Sequence, residues 1–272
     1  MPLMTVGTGR ALISSRGFHV SDVPQVEGDA LVWLYNHTNG PSWTDHTNWL
    51  VTHTVGNWFG ITVGGGHVTQ VALNTNGLNG NIGAFPINNL LSLSLLRLES
   101  NGSISGNLGG WILPAALSQL RLNNTSVSGN VGAWTLPAAL TQLYLNNTSV
   151  SGNIGGWILP ALVSRLMLYS TSVSGTPDIS GNTAMSQYLY SSCGLTQANV
   201  NAVLLSIYTR RMAFTDAAPV LNAGGTNDAP SGVYQDGDPP TTGLEYVYEI
   251  ANDPEAEGFN TWAVTYTGGT AP

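Results

Sequence analysis

The chain of 272 residues contains no lysine, a single cysteine, and charged side chains at only 8% of its positions, against roughly a quarter in ordinary globular proteins. Each scarcity excludes something. One cysteine cannot close an intramolecular disulfide, so no such staple holds the fold. The seven cations are all arginine and form no basic stripe, so nucleic acid is not the expected partner. No apolar run reaches the ~18 residues of a membrane span, and the N-terminal MPLMTVGTGRALISSRG lacks the continuous apolar segment of a secretion signal; the expectation is a soluble chain with no membrane insertion and no export address. There is no phosphate loop, no HExxH, no nucleophile elbow and no close pair of carboxylates within the repeats, so neither catalysis nor a cofactor is expected. Net charge is −8, with nine of the fifteen acids between Asp216 and Glu257.

What is present is a period. LSQLRLNNTSVSGNVGAWTLPAA is followed by LTQLYLNNTSVSGNIGGWILPA and VSRLMLYSTSVSG, and the equivalent Leu122, Leu145 and Leu168 fall 23 residues apart. That spacing, with apolar residues at L-x-x-L-x-L inside each unit, predicts a solenoid with one short strand per repeat. Trp111, Trp134 and Trp157 recur at the same period with Phe85 in the related place, each followed closely by proline; a packed aromatic spine is the expected result. A second ladder, of hydroxyls, runs through Ser126/Ser128, Ser149/Ser151 and Ser172/Ser174. It reads mostly as turn and second-strand structure, with ordering of water, and so ice binding, as a weaker alternative.

These units resemble the leucine-rich repeat family, and specifically its plant-type subclass, whose unit continues with x-x-N-x-L-S-G-x-I; NTSVSGNVG and NTSVSGNIG match that tail. The resemblance implies an α/β solenoid: a right-handed stack with a parallel concave sheet and helical N- and C-terminal caps. In its register the apolar triads are Val68/Val71/Leu73, Leu93/Leu96/Leu98, Leu117/Leu120/Leu122, Leu140/Leu143/Leu145, Val163/Leu166/Leu168 and Met185/Tyr188/Tyr190, six coils in all. The family places a buried asparagine or cysteine three residues after each triad. Here that ladder is Asn76, Asn101, Thr125, Thr148, Thr171 and Cys193, which makes the lone cysteine a packing residue rather than a nucleophile.

Four segments are expected: an extended arm over 1–24, an N-terminal cap over 25–66, repeats over 67–195 and a C-terminal cap over 196–272. EGDALVWLYNHTNG has helical periodicity. With Trp43, Trp49 and the W-x-G-I-x-V at Trp58 it resembles the cap of plant-type and bacterial members, without the cysteine pair of the plant ones. His37, His46, His53 and His67 crowd this region with Asp45, but their spacings fit no compact zinc pattern, and no metal is expected. Beyond Cys193, Thr196 starts a helix that ends at Arg210 and Arg211; a strand, a second helix over Leu244 to Ala251 and a closing TWAVTYT strand follow. The succession GGTN-x-x-P-x-G, helix and W-x-V-T resembles the C-terminal end of bacterial and phage members. Asp236 and Asp238 lack the glycine and glutamate spacing of a calcium loop.

Alternation along each strand puts one set of side chains on the open sheet face. That face holds Arg97, Glu99, Arg121, Tyr144, Arg165, Met167 and Tyr169, nearly all the charge of the repeats, and arginine and tyrosine are the residue types that most often anchor interfaces. The composition, the arm and the missing catalytic groups lead to an expected non-enzymatic structural or attachment protein on the exterior of a phage virion or a cell. It would bind protein partners, itself included, or a host-surface protein or glycan. A free protein- or glycan-recognition module using the concave face is the alternative.

Overall fold

The computed structural model describes residues 18–216, 218–237, 239–253 and 258–271. Residues 1–17 of the expected arm, and Asp238, lie outside them. In chain order the elements are helix α1 (Gln25–His37) and strands β1 (Ile61–Gly64), β2 (His67–Ala72), β3 (Asn79–Asn81), β4 (Leu95–Arg97), β5 (Ser103–Asn107), β6 (Gln119–Arg121), β7 (Ser126–Asn130), β8 (Gln142–Tyr144), β9 (Ser149–Asn153), β10 (Arg165–Met167), β11 (Ser172–Ser174) and β12 (Gln187–Leu189). Then come α2 (Gln197–Arg210), β13 (Val220–Ala223), α3 (Gly243–Asn252), β14 (Ala263–Tyr266) and β15 (Gly269–Thr270).

Two sheets wrap one core. The long sheet has the order β1-β2-β4-β6-β8-β10-β12-β13-β14-β15, and the second has β11-β9-β7-β5-β3. Pairing in the long sheet is parallel from β2 to β14, and antiparallel hairpins close it at β1/β2 and β14/β15. The register stacks the middle residue of each triad on the next: Val71, Leu96, Leu120, Leu143, Leu166 and Tyr188, continued by Leu221 and Val264, all at 0% exposure. A strand of three residues cannot stand alone; what fixes it is burial of these side chains, about 1.5–3 kcal/mol each, under a neighbour with the same pattern. The stack therefore runs two strands past the six coils of the repeat. In these extra coils α2 and α3 replace the Ser-Gly return segment, which is why the 23-residue pattern stops at Cys193 while the sheet does not.

Each coil leaves its strand through a left-handed residue, Thr75, Ser100, Asn124, Asn147, Ser170 or Ser192, at φ between 52° and 59°. The next residue is the ladder position. Asn101 is 2% exposed; its Nδ2 donates to Leu73 O and Leu98 O, and its Oδ1 accepts from Asn76 N and Leu78 N. Thr125, Thr148 and Thr171 make the shorter version, each hydroxyl donating to the carbonyl of its own coil's last triad leucine at 2.6–2.7 Å. The Cys193 thiol donates to Leu168 O at 3.1 Å. One coil on, Asn227 caps the series: its Nδ2 donates to Tyr190 O and Ala223 O, and its Oδ1 accepts from Cys193 N and Leu195 N.

On the far side, the asparagines ending β5, β7 and β9 tie coil to coil. Asn130 Oδ1 accepts from Gly132 N at 2.9 Å, and a Cβ built on Gly152 of the next coil would lie 2.0 Å from that oxygen, at φ +112°. Serine hydroxyls add to the lacing: Ser126 donates to Gly102 O, Ser128 to Gly106 O and Ser151 to Gly129 O, each reaching the preceding coil.

The spine residues Phe85, Trp111, Trp134 and Trp157 are buried at 1–6% exposure. Trp134 and Trp157 stack with ring centres 6.4 Å apart, while Phe85 meets Trp111 edge-on at 6.2 Å. Each indole N–H reaches down one coil, Trp111 to Gly83 O, Trp134 to Leu108 O and Trp157 to Val131 O. The first coil is sealed by Trp43, Trp49 and Trp58, 2–3% exposed and packed with Tyr35. Glu27 of α1, 2% exposed, accepts from Val68 N at 2.7 Å and pairs with His67 at 2.7 Å, pinning the helix to β2. Chain from Phe18 onward belongs to this cap: Phe18 stacks on His53, and Asp22 accepts from Val55 N and Gly56 N.

Two tests follow from this packing. Gly152→Ala sets a methyl against the Asn130 carboxamide in a left-handed backbone, and is expected to cost about 1–3 kcal/mol, read as a lower urea midpoint; an unchanged midpoint would disprove the coupling between coils. Burial raises the pKa values of the Tyr188 and Tyr190 phenols and the Cys193 thiol above their ordinary range. The unfolded chain releases these protons first, so stability is full below about pH 8 and falls as pH rises beyond it, first through the thiol and then through the phenols. Tyr188 Oη has no hydrogen-bond partner among the described residues, so Tyr188→Phe should flatten that fall, measured by urea titration across the alkaline range.

Candidate binding face

A solenoid, which the period, the buried triads and the parallel register together make this chain, leaves one face of its long sheet outside the core. On that face the strand residues on either side of the buried column form two rows, with a third just past the strand ends. The first row runs Gln70, Leu95, Gln119, Gln142, Arg165, Gln187, and the second Ala72, Arg97, Arg121, Tyr144, Met167, Leu189. The third is Asn74, Glu99, Asn123, Asn146, Tyr169 and Ser191, held side by side through backbone bonds such as Ser100 N to Asn123 O and Asn147 N to Tyr169 O.

The charged members divide into two groups. Arg97 and Glu99 lie on one coil and satisfy each other, with Nε and Nη2 donating to the same carboxylate oxygen at 2.9 and 2.7 Å. Glu99 is 9% exposed, and its other oxygen has no partner among the described residues. Arg121, Tyr144 and Arg165 form a second group across β6, β8 and β10. The Arg121 guanidinium carbon lies 4.7 Å from the Tyr144 ring centre, and Nη2 donates to Gln142 Oε1 at 2.6 Å. From the other side Arg165 Nη1 donates to Tyr144 Oη at 3.3 Å. Tyr144 is thus held between two cations whose charge no carboxylate pairs with among the described residues. Cation–π contact is worth ~0.5–1 kcal/mol at exposed sites, and with the Arg165 hydrogen bond it biases the ring toward this orientation. Met167 lies beside Tyr144 and Leu189 in the register, extending the ring into a platform with a flexible apolar side chain.

Two positions of the third row that alternation turns outward, Glu99 and Asn146, are buried in the structure. Asn146, expected outward, is 1% exposed between the coils that carry Asn123 and Tyr169. Its Oδ1, the Asn123 Oδ1 and the Arg121 Nε are buried without a hydrogen-bond partner among the described residues. With the second Glu99 oxygen they make a line of unsatisfied polar atoms beside the platform, a costly state in a folded chain. Period-two reasoning locates the row but does not show that neighbouring coils cover it.

Other sequence candidates take structural roles. The three cap tryptophans are buried in the seal of the first coil. His37 lies flat on Trp33 at 3.8 Å, His53 bonds to His19 O, and His67 bonds to Glu27. Among the described residues no group of three or more His, Cys, Asp or Glu could hold a metal ion, and no helix is long and apolar enough to cross a membrane. The half-buried Cys193 thiol, its pKa raised by desolvation, is a poor nucleophile.

No protein-family profile matches the chain, and no curated protein matches it. Among solved structures it is similar to the ectodomain of BIR2 from Arabidopsis thaliana, at 22% identity and a TM-score of 0.42, over 64% of this chain and 95% of that one. It is also similar to the Arabidopsis receptor kinase HAESA in complex with the peptide hormone IDA and the co-receptor SERK1, at 16% identity and a TM-score of 0.43, over 75% of this chain and 38% of that one. A plant ice-binding protein matches at 14% identity and a TM-score of 0.25, over 65% of this chain and 88% of that one. All three scores lie below one half, and the solenoid rests on the chain's own period and register.

The two groups of arginines predict different costs. Arg97→Ala strips the cation from a nearly buried carboxylate and is expected to lose about 1–2 kcal/mol, discounted from a fully buried pair because Arg97 is partly exposed. Arg165→Ala, on an exposed side chain, should stay within about 0.5 kcal/mol of the parent. Equal urea midpoints for the two variants would remove the distinction.

Proposed function

We propose that the protein is a non-enzymatic recognition module that holds a protein partner on the open face of its long sheet. The observation that carries this reading is the Arg121–Tyr144–Arg165 group: two cations without a carboxylate partner among the described residues, on either side of an aromatic ring, in a repeat region that is otherwise almost neutral. Arginine and tyrosine dominate interface hot spots because each combines a large apolar contact with hydrogen-bonding capacity. Polar atoms beside the group, on Glu99, Arg121, Asn123 and Asn146, without a hydrogen-bond partner among the described residues, supply further reason for a partner to dock there. The face favours an acidic or carboxylate-bearing surface, since its spare charge is positive on a chain of net charge −8.

Placement of the protein on the outside of a phage virion or a cell rests on composition: a surface of neutral polar side chains, scarce charge and a repeat without catalytic groups. The solenoid is compatible with that role.

Panning a random peptide library on the parent protein tests the recognition face. Binders recovered from it should lose about 2 kcal/mol, roughly thirtyfold in affinity, against Arg121→Ala combined with Tyr144→Ala, while the variant keeps the parent's melting temperature. Binders indifferent to both substitutions would place recognition elsewhere.

A further inference from the structure

A second surface stands out once the open sheet is set aside. The return segments that follow each spine residue form a flank of the stack on which large aliphatic side chains face solvent: Leu91, Ile112 and Ile158 are each 71% exposed, and Leu162 57%. Scattered exposed aliphatics are ordinary, but a contiguous apolar patch marks an interaction site. Here contiguity follows from the period. Ile112 and Ile158 hold the same position two coils apart, and Leu91 heads a column continued by exposed Ala115, Ala138 and Ala161.

Clefts lie between these coils. One of about 480 Å³ is floored by Trp134 and walled by Leu136, Ala138, Ile158 and Pro160. A second of about 260 Å³ lies two coils earlier, among Phe85, Pro86, Ile87, Trp111 and Ile112. The flank thus carries two ridges and two grooves set two coils apart, roughly 10 Å at ~4.8 Å per coil, with Thr135 at the position between Ile112 and Ile158.

We infer that this flank is where two copies of the chain associate, face to face about a two-fold axis. Charge and pitch select that occupant. Return segments 83–93, 109–117, 132–140 and 155–163 contain no Asp, Glu, Arg, Lys or His, so two copies of net charge −8 can approach there without bringing acids together. Nine of the fifteen acids lie between Asp216 and Glu257, outside the strip. An uncharged strip gives a differently charged partner no electrostatic handle. Its groove spacing is matched without adjustment by a second copy, because a two-fold interface sets the same surface against itself and each ridge meets a groove of equal period. A strip four coils long, roughly 19 Å at the strand spacing, is short, so the dimer is expected to be weak, with Kd on the order of micromolar or above.

Sedimentation velocity across a series from about 1 to about 300 μM tests this. The parent should move from monomer toward twice the monomer mass, and Ile112→Arg and Ile158→Arg should each hold it monomeric throughout. Because both side chains are already largely in water, unchanged melting temperatures are expected and serve as the folding control. The Arg121→Ala, Tyr144→Ala variant should dimerise like the parent, which separates this interface from the recognition face. A parent that stays monomeric across the series, or a dimer that survives both arginine substitutions, overturns the inference. A monomeric parent that binds a hydrophobic dye, with the signal lost in Ile158→Arg, would assign the strip to a different occupant and overturn it equally.

Discussion

Everything in this molecule depends on one constraint: no coil can bury its own aliphatic triad, so each must lie under a neighbour with the same triad in the same register. The backbone supplies the spacing through parallel hydrogen bonds, and the side chains supply the free energy. Because burial is shared between neighbours, stability is roughly a sum over interfaces, and the two ends need special treatment. At the N-terminal end three tryptophans and Tyr35 close the core, with Glu27 locking the helix to the first strand. At the other end helices α2 and α3 take over from the return segments, and the β14/β15 hairpin finishes the sheet.

Lateral coupling is distributed over small devices rather than charges. Ladder amides and hydroxyls, indole N–H groups and the asparagine–glycine contacts each join a coil to the one beside it. None needs an ion pair, and this is how a chain with 8% charged residues satisfies its buried polar backbone. The glycine of the Ser-Gly corner has a double reason to be glycine: its backbone is left-handed, and the space a methyl would occupy is already taken by the asparagine of the preceding coil. The left-handed residue before each ladder position is Thr, Ser or Asn instead, short polar side chains that tolerate that conformation better than bulky ones.

The sequence discloses what repeats and hides what occurs once. Triads, ladder slots and spine recur, so alignment of the copies locates them before any coordinate is seen. Asn227 does the work of the ladder without a period to announce it, since α2 lengthens its coil. Glu27 reads as a surface acid until its partners, 40 and 41 residues away, are in place. The burial of Asn146 belongs to the same class, because strand alternation says which way a side chain points and nothing about what lies over it.

Within the open face, the same reasoning separates the arginines by what surrounds them. Arg97 has a neighbouring acid on its own coil and so is accounted for by the fold. Arg121 and Arg165 have none, and what holds them is a tyrosine and glutamines, neutral groups that orient a cation without cancelling it. A folding requirement alone would be met more cheaply by threonine or glutamine at those positions, as in the first and last coils, where the face carries only neutral side chains. Orientation without neutralisation is the arrangement that keeps a positive charge available to something outside the chain.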